Sequence, residues 1–96
     1  MIERVVTVAS ASGLHARPAR IFVKAAAALP VDVLLAVDGK KPVKAGSMLG
    51  VLALGAVQGT KVVLSAEDDA AGAGRAAVDE LATLLATDLD AVESDG

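Results

Sequence analysis

This chain has to build its interior almost without large side chains. Phe22 is the single aromatic residue, Trp and Tyr are absent, and the apolar 54% is mainly Ala, Val and Leu. Small and branched aliphatics fill space only in closely packed layers, so a layered core is expected. A length of 96 residues allows one domain and one modest core. With no cysteine, disulfides, thiolate metal sites and thiol nucleophiles are excluded. One histidine and no cysteine argue against a transition-metal site, and no cofactor is implied. The opening MIERVV carries an acid and a base within a strand-like alternation and does not read as a signal peptide. No apolar run reaches membrane-spanning length, so a soluble, cytoplasmic protein without membrane insertion is expected.

Periodicity and punctuation then divide the chain. IERVVTVAS alternates, with Val6 and Val8 on one face and Glu3, Val5 and Thr7 on the other, which predicts a strand. ARPARIFVKAAAALP carries Pro18 in a first turn, where the missing N–H costs nothing, and stops at Pro30; a helix over 16–28 is predicted. VDVLLAVDGKKPVKAG reads as a hairpin turning at Asp38-Gly39, with Pro42 restricting its second arm to a short or edge strand. SMLGVLALG is a short helix capped by Ser47 and stopped by Gly55. KVVLSA is a further strand. Ala77, Val78, Leu81, Leu84 and Leu85 recur at helical spacing within 70–86, after Asp68-Asp69 as a cap. This order, βαββαβα, predicts an α+β domain with a four-stranded, mainly antiparallel sheet, three helices on one face and solvent on the other. The acidic TDLDAVESDG, 87–96, is expected to be a flexible tail.

The overall charge of −3 hides an asymmetry. Residues 1–65 hold eight basic residues against three acids, a net +5, while 66–96 hold one against nine, a net −8. A basic front suits an anionic group or an acidic partner. Nucleic acid fits poorly, because no aromatic side chains are available to stack on bases.

The single histidine lies in SGLHARPAR, at the predicted start of the first helix. N–H groups of a first turn point outward at the positive end of the helix dipole, a ready-made anion site. Gly13 allows the incoming chain the dihedrals that present the His15 ring to solvent, where a ring nitrogen is a candidate nucleophile. Arg17 supplies a guanidinium suited to phosphate oxygens. Together these fit a transient phosphohistidine. At about 100° per residue, Arg17, Arg20, Ile21 and Lys24 share one side of the helix, with Ile21 an exposed aliphatic. Ala19, Phe22, Val23, Ala26 and Leu29 share the other and should face the sheet. In the second helix Met48, Leu49, Val51, Leu52 and Leu54 surround Gly50, so some must be exposed or covered by a partner. A lone histidine at a helix start commonly does no more than cap it, and a basic stripe is commonly a solvated face. The joint spacing tips the balance toward function.

GLHARPA, 13–19, resembles the active-site motif of the HPr family, the phosphocarriers of the bacterial phosphoenolpyruvate-dependent sugar phosphotransferase system. The similarity continues through FVKAA, SMLGVLALG and QGTKVVLSAEDD into the Ala-rich last helix, over residues 2–86. It implies an open-faced β-sandwich, a phosphocarrier domain over 1–86 and a role in sugar uptake. His15 matches the histidine phosphorylated on Nδ1 by Enzyme I, which passes the group to sugar-specific IIA domains. Arg17 matches the arginine that pairs with the phosphoryl group, with Ser12 and Ala16 in the same phosphate-binding neighbourhood. Ser47 matches a regulatory serine that a dedicated kinase phosphorylates in some relatives, lowering carrier activity and creating a corepressor for a transcription regulator. Arg20, Lys24, Met48, Leu49 and Leu52 fall on the family's partner surface, and Ile21 belongs to the same strip. The resemblance implies a monomeric phosphorylated intermediate and not an enzyme. Two departures stand out: 39–47 is one residue longer than the common pattern, with Pro42 and Gly46 inside it, and the acidic extension after Ala86 passes the usual family end. Three other readings stay open. One is a regulatory HPr-like paralogue, of a nitrogen branch or acting through phosphorylated Ser47. Another is an anion-binding module in which His15 only caps. The last is a hydrolase with His15 as general base beside Ser12.

Overall fold

The alternating segments pair into strands in the computed structural model, which describes residues 1–67 and 71–88, Ala16 by its backbone alone. They are β1 (Ile2–Thr7), β2 (Leu34–Val37), β3 (Val43–Lys44) and β4 (Lys61–Ala66). The periodic segments become helices α1 (Ala16–Ala27), α2 (Met48–Leu54) and α3 (Ala73–Leu85). All four strands join one sheet in the order β1-β4-β2-β3, each neighbour antiparallel. The architecture is the α+β open-faced sandwich.

Register accounts for the two faces of the sheet. Val62, Leu64 and Ala66 of β4 are buried, and their cross-strand partners are Val6, Arg4 and Ile2 on β1 and, for the first two, Val37 and Leu35 on β2. The alternate residues Glu3, Val5 and Thr7 are exposed on the open face. Arg4 has inward parity on an edge strand and stays exposed, and its guanidinium reaches Asp79 of α3 at 2.7 Å. With both side chains about half exposed, that pair contributes no more than about 1 kcal/mol. β3, directly after Pro42, is two residues long and forms the other edge, as a residue without a ladder donor requires.

Phe22 is fully buried, with Ala19 and Ala26 on the same face of α1 also buried. Flanking a single ring with alanines lets α1 pack closely beside α2 and α3. α3 closes the layer over β1 and β4 through Ala77, Val78, Leu81 and Leu85.

Two boundaries differ from expectation. α1 ends at Ala27, with Ala28 as its C-cap. α3 begins at Ala73 with Gly72 as its N-cap at φ 78°, later than the expected 70. Gly72 in this left-handed conformation cannot continue a right-handed helix, so the helix starts just after it. Asp68 and Asp69, expected to cap this helix, lie outside the described residues, as do 89–96 of the acidic tail. Among the described residues, no helix is long and apolar enough to cross a membrane.

Candidate functional site

The segment between β1 and α1 presents His15, and its geometry is set by backbone contacts on the side of α2. Beyond the end of β1 the Val8 N–H donates to Thr60 O at 2.9 Å and Val8 O accepts from Gly59 N at 2.8 Å, extending the pairing toward β4. Gln58 Nε2 then donates to Ala9 O at 3.1 Å. The chain reverses through Ser10–Gly13, closed by Gly13 N donating to Ser10 O at 2.9 Å. Gly13 has φ 69°, and a Cβ there would stand 2.5 Å from Ala56 O and 2.7 Å from Val57 Cα. Conformation and space both demand glycine. Leu14 follows, donating its N–H to Ala56 O at 2.9 Å and burying its side chain.

With Leu14 anchored, the next residue turns outward. His15 is exposed and extended, φ −145° and ψ 159°, and is the N-cap of α1. Its ring makes no hydrogen bond to the first turn, so the imidazole is not spent on capping its own helix. The first turn holds no acidic residue. Ala16 is the first helical residue, Arg17 the second and half-buried, and Pro18 contributes no N–H. Ser12 is exposed within the preceding turn. His15, Ala16 and Arg17 thus form the start of α1, and Ser12 lies in the turn just before it.

Along α1, Arg20 and Lys24 are exposed. Ile21 is half-buried, which corrects the expectation of a fully exposed aliphatic. α2 packs alongside α1, and a helix with a neighbour loses open surface on the flank they share.

Two contacts fix the direction of α2. Just past its C-terminal end Ala56 O takes the Leu14 N–H, while at its start Ser47 lines a cavity of about 230 Å3 with Ala26, Ala27 and Leu29 from the far end of α1. α2 thus runs antiparallel to α1. Ser47 stands about eleven residues of helix away from His15, roughly 17 Å at a rise of about 1.5 Å per residue. The structure does not bring Ser47 into the His15 cluster.

Both ends of α2 are satisfied. Ser47 Oγ accepts the Gly50 N–H at 3.2 Å, and Gly55 closes the other end in the left-handed conformation. Lys40, from the turn between β2 and β3, donates from Nζ to Leu54 O at 3.0 Å, supplying the cation that the last turn itself lacks. Val51 and Leu54 are buried, Met48 and Leu52 are half-buried against the core, and Leu49 is 83% exposed. Val57, 63% exposed, lies beside Gly13 and continues this apolar surface toward His15. The sequence alone gives Val57 no role, because it follows the helix stop and resembles any loop residue. Only the close approach of 56–57 to 13–14 gives it a place at the site.

The family described as "PTS HPr component phosphorylation site" matches residues 2–87. Phosphocarrier protein HPr of Streptomyces coelicolor is 52% identical over 90 residues, covering 94% of either chain. HPr-like protein Crh of Bacillus subtilis is 42% identical over 69 residues, 72% of this chain and 80% of that one. The crystal structure of a phosphocarrier protein HPr from Bacillus anthracis matches with a TM-score of 0.80 at 30% identity, covering 88% of this chain and 95% of that one.

Proposed function

Because this chain belongs to the HPr family of the phosphotransferase system, we propose that it accepts a phosphoryl group on His15 from Enzyme I, originating in phosphoenolpyruvate, and donates it to sugar-specific IIA domains. The observation that carries this reading is an exposed N-cap imidazole that makes no cap hydrogen bond. In the accepting step the Nδ1 lone pair attacks phosphorus in line. A P–N bond forms as the donor's bond to phosphorus breaks, and that electron pair leaves with the donor. Donation to a IIA domain runs the same exchange in reverse.

Such transfers need alignment and stabilisation of charge on the equatorial oxygens more than covalent chemistry. Here the Arg17 guanidinium and the backbone at Ala16 and Arg17 meet those oxygens, with Ser12 at the rim. The partner supplies the remainder, so the chain is a carrier and not an enzyme. It works where its partners work, in the cytoplasm.

Docking uses Arg20 and Lys24 on one side and Ile21, Met48, Leu49, Leu52 and Val57 on the other. A small, partly charged surface suits contacts that must form and release in turn. A phosphate on Ser47 would lie beside Leu49 and far from the ring, so a Ser47 kinase would act on docking and leave the His15 chemistry alone. The regulatory reading draws on the likeness to Crh, which spans less of this chain than the likeness to HPr.

Intact mass after incubation with phosphoenolpyruvate and catalytic Enzyme I tests the proposal. One added phosphoryl group, lost in mild acid and missing from His15→Ala, is expected. No mass gain in the unaltered protein would overturn it.

A further inference from the structure

The loop that carries His15 is also held from the side of α3, by residues outside the motif. Ala9 N donates to Leu85 O at 2.9 Å. Ser10 Oγ donates to Thr87 O at 3.4 Å. Ala11 N donates to Asp88 Oδ1 at 3.3 Å. Three consecutive loop residues thus engage the last residue of α3 and the segment just after it. The last carbonyls of a helix have no partner within it, and a loop that leaves its strand has N–H groups to place, so each satisfies the other. Ser10 is buried to 2% exposure, where a hydroxyl needs a partner.

Asp88 is the outermost of these contacts and the one whose acceptor is a side chain. The N–H it holds belongs to the second residue of the turn Ser10–Gly13, four residues before His15. A carboxylate accepting from a backbone N–H makes a stronger bond than a neutral acceptor does. We infer that Asp88 is a positioning residue for phosphoryl transfer: by holding Ala11 it sets the turn, and through the turn the placement of His15 over the first turn of α1. Arg4 and Asp79 pair β1 with α3 elsewhere, joining a strand to a helix flank and leaving the loop untouched.

This inference rests on the reading that His15 carries the phosphoryl group. Misplacing a reacting atom by about 1 Å costs up to about 10²-fold in rate, so loss of one of three holding contacts should cost a fraction of that. Asp88→Ala is expected to lower kcat for phosphoryl acceptance from Enzyme I about 5- to 10-fold with KM for the carrier unchanged. Asp88→Asn keeps an Oδ1 acceptor and should recover most of the rate. In parallel, hydrogen exchange of the Ala11 amide should quicken in Asp88→Ala and stay slow in Asp88→Asn. An unchanged kcat in Asp88→Ala, a loss confined to KM, or an Asn variant as slow as the Ala variant overturns the inference. If the unaltered protein takes no phosphoryl group, the functional reading is what fails. Exchange at Ala11 then decides the clamp alone, and equal rates in all three proteins overturn it.

Discussion

α1 and α2 both begin from an extended N-cap residue with no acidic residue in the first turn, yet their caps differ. The Ser47 oxygen accepts the Gly50 N–H at 3.2 Å, whereas the His15 ring makes no bond to its helix. A short side chain at the cap reaches back to the third N–H and stabilises the helix by about 1 kcal/mol. An imidazole facing outward forgoes that gain and remains open to a reaction partner. α1 can forgo it because it is twelve residues long and buries Phe22, while α2 has seven residues and needs both of its caps. The pair teaches that one backbone position at a helix start serves stability or chemistry, and that the side chain decides which.

Exchanging the two roles is the strongest way to break this comparison. His15→Ser should abolish phosphoryl acceptance, read by intact mass, while capping α1 and raising Tm by about 4–8 °C. A variant that still accepts the group would show that His15 was never the carrier site. Next in size, Arg17→Ala should slow transfer roughly 10²-fold, as loss of one charge-stabilising donor does elsewhere. Normal transfer with a large drop in Tm would instead make Arg17 a structural residue. Smaller again, Ser47→Asp keeps a good cap and places a charge beside Leu49. KM for Enzyme I should rise several-fold with kcat and Tm nearly unchanged. Least of all in function, Ser47→Ala should cost about 1 kcal/mol in denaturant unfolding and leave phosphoryl acceptance alone. Slower acceptance in that variant would mean that the start of α2 acts on His15 after all.

Much of the molecule is legible residue by residue. Pro18 marks the first turn of α1, Ser47 and Gly55 bracket α2, and Asp38-Gly39 turns the hairpin, where Lys40 N donates to Val37 O at 3.2 Å. Each signal sits within a few residues of the feature it reports. The candidate site is legible for the same reason, since Ser12, His15, Ala16 and Arg17 occupy one short stretch. α3 shows the limit: Asp68-Asp69 looks like a cap, but Gly72 in the left-handed conformation is the N-cap and the helix starts at Ala73. Ile21 is another such case, because its half-burial depends on how α1 packs against other helices and not on its neighbours in sequence.

What the residues determined alone was the order of elements, the inward face of most of them and the caps of α2, since hydrophobic period and turn chemistry act between near neighbours. Only the tertiary structure decided the rest. It set β1 against β4 and ran α2 antiparallel to α1, which put Ser47 far from His15, and it brought Val57 against Gly13. It also brought Asp88 onto Ala11 across 77 residues of chain. Those relations depend on which apolar faces can close over one another, and no local pattern records the partner of a face before it is packed.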